Sequence, residues 1–435
     1  MAPRPPVCSA SPLNKKTFGK ALAVTSDASP GLYQMEPSGT FDRDGNVVLT
    51  FMGCNAPNGP NALVAAKIGT DGGLAGERII TTGVENHFNT WTTTLRDGTV
   101  AAVWLGFNGN YGPLDRVKRQ SNQQIGFATS KDGLTWSPAV RADTSARDCP
   151  NDEPNCIDKP MIVAGPDSTD PGREAIYITL AGGQDQQLRV IRSTDGGKTF
   201  KPSVAAGPGI YGDINVSSRG VVRVVAVTST SETGPVDRLG DVLNAISYRR
   251  SDDGGATFTK PVMVSAPETP VPFFFSNAQI VVDEARKFLY VAYPVGTPDG
   301  RWDIVLATSR DDGAHWTRIK VNDDAPCANH MIPSAAFDPR TGRVHLLWIE
   351  NRTGRGGAAY TSCDPGGAKC APNEAVSDTP FAAYGFVRHS PKWLGQYGSL
   401  LIDVKRRTLH ALWTQTVQAK EGEAARVFYA RGELR

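Results

Sequence analysis

Apolar positions recur along the chain as paired short runs. Each begins with an apolar strand, turns at Asp or Gly, continues as a second apolar strand ending in an aromatic residue or Thr, and passes into a polar loop. The pattern occupies 37–51 (PSGTFDRDGNVVLTF), 91–104 (WTTTLRDGTVAAVW), 160–180 and 214–227. It returns at 278–293 (AQIVVDEARKFLYVAY), 333–348 (PSAAFDPRTGRVHLLW) and 398–413 (GSLLIDVKRRTLHALW), which makes seven copies. Runs of this length, rich in Val, Ile, Leu and aromatics and bounded by turn residues, predict β-hairpins rather than helices.

A second hairpin follows each copy. Its turn reads S-x-D-x-G-x-x-[F/W] at 193–200 (STDGGKTF), 251–258 (SDDGGATF) and 309–316 (SRDDGAHW), with a shorter form at 130–136 (SKDGLTW). Degenerate forms stand at 70–77 and 362–370. The resulting period of roughly 50 to 65 residues is that of four-stranded sheets repeated around an axis. The prediction is an all-β, seven-bladed β-propeller forming a single domain over 1–435, with about 1–19 as an N-terminal extension. The last unit lacks a fourth strand, and 20–27 (KALAVTSD) has no partner of its own. The two are expected to pair and close the ring, removing exposed sheet edges.

Asp132, Asp195, Asp253 and Asp311 in these turns can accept backbone N–H bonds, while Gly133, Gly197, Gly255 and Gly313 can take positive φ. They read as folding devices rather than catalytic groups.

Composition narrows the class. With Gly 45, Pro 31, 21% charged residues and a formal net charge of +2, the 435-residue chain suits a turn-rich globule and carries no basic run that would favour nucleic acid or an anionic membrane. No stretch reaches the roughly 18 apolar residues of a membrane span. Cys149 with Cys156 and Cys363 with Cys370 are spaced for small disulfide loops, leaving Cys8, Cys54 and Cys327 unassigned. Residues 1–12 have no apolar core of a signal peptide, but the two close cysteine pairs favour a secreted or periplasmic location with the leader already removed.

If the Asp turns occupy one face, the richer loops 84–91, 147–160, 209–215, 270–277, 325–333 and 386–397 gather on the other. Aligning the copies one place before each apolar run puts Glu36, Thr90, Lys159, Asp213, Asn277, Ile332 and Tyr397 around the axis, with Asp158, Gln396, His87 and His330 close behind. Convergent carboxylates, imidazoles, amides and aromatics mark the default binding site.

The turn motif and its period resemble the Asp-box (BNR-repeat) propellers, the sialidase-like family, from about residue 20 to the end. Sialidases have six blades, the alternative count here. The resemblance implies a tyrosine nucleophile opening an innermost strand, and QYGSLLID puts Tyr397 there. It also implies a glutamate where SNAQIVV has Asn277, and arginines where Met35 and Tyr293 stand, so true sialidase activity is not expected. Arg116, Arg238, Arg301, Arg352 and Arg388 are the arginines that could rebuild an anion clamp.

The functional expectation is a glycoside hydrolase or lyase acting on a carbohydrate in the central funnel of a monomer. Glu36, Asp158 and Asp213 are the candidate carboxylates, and Tyr397, His87 and His330 the candidate bases or nucleophiles. Lys159, Asn277, Gln396, Arg388, Trp393 and Phe273 to Phe275 would hold substrate. The alternative is a non-catalytic propeller binding a glycan or a protein. Cofactors are not expected, although DKP at 158–160 and Asp213 with Asn215 offer oxygen ligands suited to Ca²⁺.

Overall fold

A computed structural model describes residues 12–25, 33–54, 61–109, 121–143, 157–182, 187–228, 245–266, 277–324, 328–382, 394–419 and 422–434. The first described strand is Leu22–Ala23 (β1). Four strands follow as Tyr33–Phe41 (β2), Val47–Cys54 (β3), Asn61–Ile68 (β4) and Leu74–Ile79 (β5), then four as Asn86–Thr94 (β6), Val100–Asn108 (β7), Ser121–Ser130 (β8) and Val140–Arg141 (β9). The next four are Ile157–Asp167 (β10), Asp170–Gly182 (β11), Gln187–Ser193 (β12) and Lys201–Pro208 (β13), and after them Ile210–Val216 (β14), Val222–Thr228 (β15), Ala245–Ser251 (β16) and Val262–Met263 (β17). Gln279–Asp283 (β18), Phe288–Gly296 (β19), Trp302–Ser309 (β20) and Thr317–Lys320 (β21) precede His330–Phe337 (β22), Val344–Glu350 (β23), Gly357–Cys363 (β24) and Glu374–Ala375 (β25). Ser399–Asp403 (β26), Thr408–Ala419 (β27) and Gly422–Glu433 (β28) complete the series.

Five sheets are four-stranded antiparallel meanders: β6–β9, β10–β13, β14–β17, β18–β21 and β22–β25. A sixth, mixed sheet runs β26-β27-β28-β2-β3-β4-β5, with a single parallel pairing of Tyr33 with Ala425 at its centre. β1 pairs antiparallel with β28, Leu22 opposite Tyr429, as the closure by 20–27 anticipates. The first strands β2, β6, β10, β14, β18, β22 and β26 touch in that order, and β26 touches β2, so they form a closed ring.

Position in the sheet explains the sequence pattern. The second strands lie between neighbouring sheets and are apolar on both faces, so every residue of Val47–Cys54 is buried. The outermost strands face water, and Leu74–Ile79 has no buried residue.

Three devices hold the sheets: two join one sheet to the next and the third closes hairpins. Near the axis, Ser38 Oγ accepts the backbone N–H of Thr92 (2.9 Å), Ser334 Oγ that of Leu400 (2.9 Å) and Ser399 Oγ that of Gly39 (3.2 Å). Each bond runs from one innermost strand to the next. Farther out, three of the four intact Asp boxes press a glycine on the preceding sheet, and that of the fourth, Gly255, lies in ordinary contact with it. A Cβ on Gly197 would lie 2.1 Å from Phe127, and one on Gly313 2.1 Å from Tyr248. Within the box the backbone N–H of His315, foremost, holds the Asp311 carboxyl down to about 2. In the sixth unit, where the box is degenerate, a disulfide between Cys363 and Cys370 closes the turn. Cys54 is buried as a free thiol, and the Cys149/Cys156 pair lies outside the described residues.

The third device is a second repeated carboxylate, at the end of the first strand. Asp42, Asp167, Asp283, Asp338 and Asp403 are buried, each accepts a backbone N–H of its own hairpin turn, and each pairs with a cation. Arg407 reaches Asp338 across the sheet boundary at 2.7 Å. The N-terminal segment adds a strap: Ala375 N–H donates to Asn14 O, and Gly19 N–H to Arg431 O, so residues 14–19 span from β25 to β28.

The glycine contact can be tested directly. Gly313→Ala places a methyl against Tyr248 at φ +93, whereas Gly196→Ala, at φ +75, meets nothing within 4 Å. The first is expected to cost about 2–4 kcal/mol, combining overpacking with left-handed strain, and the second about 1–2 kcal/mol. Thermal and denaturant unfolding of the two variants measures the difference, and equal losses would remove the packing role.

Candidate functional site

Five innermost strands break register at the same place, near the end opposite the Asp boxes. The shifts fall between Met35 and Ser38, Phe88 and Trp91, Asp158 and Met161, Ile210 and Asp213, and Met331 and Ser334. The first bulged residue in each is left-handed although none is glycine: Glu36 (φ 60), Asn89 (φ 52), Lys159 (φ 51), Tyr211 (φ 51) and Ile332 (φ 57). The residue after it is Pro37, Thr90, Pro160, Gly212 or Pro333. Proline suits a bulge because it has no N–H to give to the ladder. Left-handed backbone in a side-chain-bearing residue, costly above all for β-branched Ile332, persists only where tertiary packing holds it, and such outliers concentrate at functional sites.

This register corrects two of the seven axial positions expected from sequence. Asn89, not Thr90, and Tyr211, not Asp213, stand in line with Glu36, Lys159 and Ile332. The apolar runs in those two units begin one and two residues later relative to the bulge, which shifts an alignment made on hydrophobicity alone. Asn277 and Tyr397 keep their places, two residues before Gln279 and Ser399 as Glu36 is before Ser38.

The bulges bring Glu36, Asn89, Asp158, Lys159, Tyr211 and Tyr397 together. Lys159 is 3% exposed, and its Nζ lies 3.6 Å from Oε1 of the wholly buried Glu36. The same ammonium donates to Asn89 Oδ1 at 2.5 Å and stands 5.5 Å and 5.6 Å from the ring centres of Tyr211 and Tyr397. Burying a lone ammonium or carboxylate is prohibitive, and here opposite charge, an amide oxygen and two aromatic faces offset the lost hydration.

Asn89 organises the cluster. Its backbone N–H donates to Glu36 Oε2 at 3.3 Å, and its Nδ2 donates to Asp158 Oδ1. Asp158, half-buried, also accepts the N–H of Lys159 at 2.8 Å. The Tyr397 hydroxyl, 2% exposed as a residue, donates to the Thr90 carbonyl at 3.0 Å. Burial first, and then the charges of Glu36 and Asp158, push this phenol well above its ordinary range. Glu36 Oε1 is buried without a hydrogen-bond donor among the described residues. Gly395, at φ +81, makes room for it, since a Cβ there would come within 2.6 Å of Glu36 Cγ.

The remaining candidates lie apart from this cluster. Asp213 spans two sheets, accepting the N–H of Ile280 and of Ile214, each at 2.8 Å, in the way the axial serines do. Burial raises its carboxyl to about 7. His87 and His330 occupy equivalent places two residues before the bulge, with Nδ1 against the carbonyl of Asn61 and of Trp302 on the preceding sheet, at 2.8 and 2.9 Å. Both imidazoles are sheet-to-sheet ties, and burial holds that of His87 below its usual range. Asn277 Nδ2 donates to Gln396 O at 2.9 Å. Arg301 pairs with Asp299, and buried Arg352 with Glu350, so neither supplies a clamp at the axis. Arg116, Arg238, Phe273 to Phe275, Arg388 and Trp393 lie outside the described residues.

Tyr211 and Asn89 were missed by the sequence reading, and the x-Pro or x-Gly step shared by four of the five bulges is the signal that could have found Tyr211. Among the described residues no group of three or more His, Cys, Asp or Glu gathers to hold a metal ion. The oxygens of Asp158 and Asp213 named above are engaged by protein donors.

Two predictions follow from this geometry. Lys159→Met leaves the Glu36 charge buried and unpaired and is expected to cost about 3–5 kcal/mol, most of it regained in the double variant with Glu36→Gln. Additive losses in a denaturant-measured cycle would contradict the pairing. Asp213 binds its proton more tightly folded, near pH 7, than unfolded, near the ordinary value of 3.8. Its contribution is therefore fully present below about pH 4, declines as pH rises toward 7 and is flat above that. Between pH 5 and 8 the melting temperature should fall more steeply in the parent than in Asp213→Asn, and parallel profiles would contradict it.

No protein-family model matches the chain, and no curated protein does either. Among solved structures, a protein of unknown function from Dyadobacter fermentans superposes with TM-score 0.54 at 15% identity, over 96% of this chain and 99% of that one. A Hadza microbial sialidase superposes with TM-score 0.50 at 13% identity, over 95% of this chain and 68% of that one. The GH93 α-L-arabinofuranosidase of Fusarium graminearum gives 0.46 at 12% identity, over 79% and 92%. With the boxes and the closed ring of innermost strands, the first two of these likenesses give the chain the sialidase-like Asp-box β-propeller fold.

Proposed function

We propose that this chain is a glycan-directed propeller, a glycoside hydrolase or lyase other than a true sialidase, working at the Glu36–Asp158–Tyr397 cluster. The eight-stranded sheet counts as two blades in this reading, β2–β5 and β26–β28 with β1, giving seven blades around one axis. The observation that carries the reading is the tie of two carboxylates, Glu36 and Asp158, to the single residue Asn89 beside a buried tyrosine. Hydrolysis of a glycosidic bond needs two such groups in different roles.

Their surroundings separate the roles. Asp158, the more exposed carboxyl, is placed to protonate the departing oxygen. Tyr397 is a poor nucleophile while its phenol stays protonated, so it needs a base. Glu36, whose Oε1 lies 3.6 Å from Lys159 Nζ and has no hydrogen-bond donor among the described residues, is the group to take that proton. The disulfide Cys363–Cys370 supports placing the protein outside the reducing cytoplasm, secreted or periplasmic.

A second reading, binding without catalysis, is favoured by one contact: the Tyr397 hydroxyl already donates to the Thr90 carbonyl. A panel of glycans and chromogenic glycosides separates the two. Turnover is expected to fall about 100-fold or more in Asp158→Asn and in Tyr397→Phe with little change in melting temperature. Turnover that survives both changes displaces the site, saturable binding without turnover selects the second reading, and a panel neither bound nor cut ends the glycan assignment.

A further inference from the structure

A cleft of about 490 Å³ opens on the Asp-box face, at the opposite ends of the strands from the axial cluster. It lies where the β14–β15 turn meets the β18–β19 turn and the box that ends β20, and its floor is Val282, Phe288 and Leu289. Four carboxylates and four cations line it.

The carboxylates are all engaged within the fold. Asp283 holds Arg286 and its backbone N–H, Glu284 accepts the N–H and hydroxyl of Ser218, and Asp311 is taken up by its own box. Asp312 accepts Arg223 and Arg250.

The cations are not matched in the same way. Arg223 alone pairs with a lining carboxylate, Asp312 at 3.2 Å, and its guanidinium also stands against the buried Tyr248 hydroxyl. The side chains of Arg219 and Lys287 make no hydrogen bond or ion pair among the described residues. The Arg310 guanidinium lies over the Phe288 ring, 5.0 Å from its centre, and likewise has no carboxylate partner there. Three side-chain cations are thus left over a half-buried aromatic floor after every carboxylate in the cleft has found its donors.

We infer that this cleft is a second, non-catalytic ligand site that takes an oxyanion, a sulfate, phosphate or carboxylate group, with any attached body seated against Phe288. Guanidinium and ammonium donors around a concave surface suit charged oxygens, and the Arg310–Phe288 stack offers a flat surface to a ring. The site stands independently of the proposed glycan chemistry, because no residue is shared and the two lie at opposite strand ends.

Calorimetric titration of the whole protein with inorganic sulfate, inorganic phosphate, galacturonate and neutral galactose at low ionic strength tests it. At least one of the three oxyanions is expected to bind saturably, more tightly than galactose, and to weaken as NaCl screens the charges. Arg219→Gln and Lys287→Gln, both on exposed turns, should each weaken binding roughly tenfold without lowering the melting temperature. Saturation by inorganic sulfate or phosphate alone identifies a simple anion site. Binding of galacturonate alone identifies a ligand that needs the aromatic floor, and Phe288→Ala should then abolish it. Absence of saturable oxyanion binding, or binding indifferent to both charge-removing variants, overturns the inference.

Discussion

At three of the four intact boxes neighbouring sheets meet at contacts that leave no space for a methyl group, at Gly133, Gly197 and Gly313, and the ring depends on them. In each intact box a glycine at positive φ lies against the sheet before it, and the carboxylate two residues from the Ser accepts a backbone N–H of the same turn. Sheets that pack only on their neighbours gain a core without a centre, which lets a chain of this length fold around an axis instead of a single interior. Pairing of β1 with β28 and the strap across β25 tie the two ends of the described chain together and cover part of the sheet edge at the seam.

Closing the ring forces polar groups together at its middle. The innermost strands converge there, and five of them bulge into left-handed conformations just where they approach one another. Lys159 is buried deeply enough to need its partners, Glu36, Asn89 and two tyrosine faces, and half-buried Asp158 has Asn89 and a backbone N–H. A well-packed apolar plug would fill the same space with less electrostatic cost. The use of a carboxylate pair with tyrosines instead is what the proposed glycan site rests on.

Polar residues between sheets have a different character from those at the axis. Asp213, His87 and His330 are the kinds of residue that catalysis employs, yet each bonds to the backbone of an adjacent sheet. Serines at the places equivalent to Asp213 make the same bond, which shows that the position asks for an acceptor rather than for a charge. The carboxylates closing the first hairpins belong with these ties, and they recur as plainly in the sequence as the boxes do, in TFDRDGN, VVDEARK, AFDPRTG and LIDVKRR.

The chain's own pattern determined the repeat, the hairpins, the box turns and the joining of its two ends, because strand alternation and turn chemistry act between residues close in sequence. Glu36, Lys159 and Tyr397 were legible at the axis for the same reason: each opens an apolar run. Only the tertiary structure decided that Asn89 and Tyr211 stand beside them in place of Thr90 and Asp213. A bulge adds a residue to one strand without altering its hydrophobicity, so periodicity carries no record of it. The same holds for the imidazoles and for the partners of Lys159, since which side chains meet across the ring depends on where folding brings strands hundreds of residues apart, a relation set by geometry rather than by any local preference.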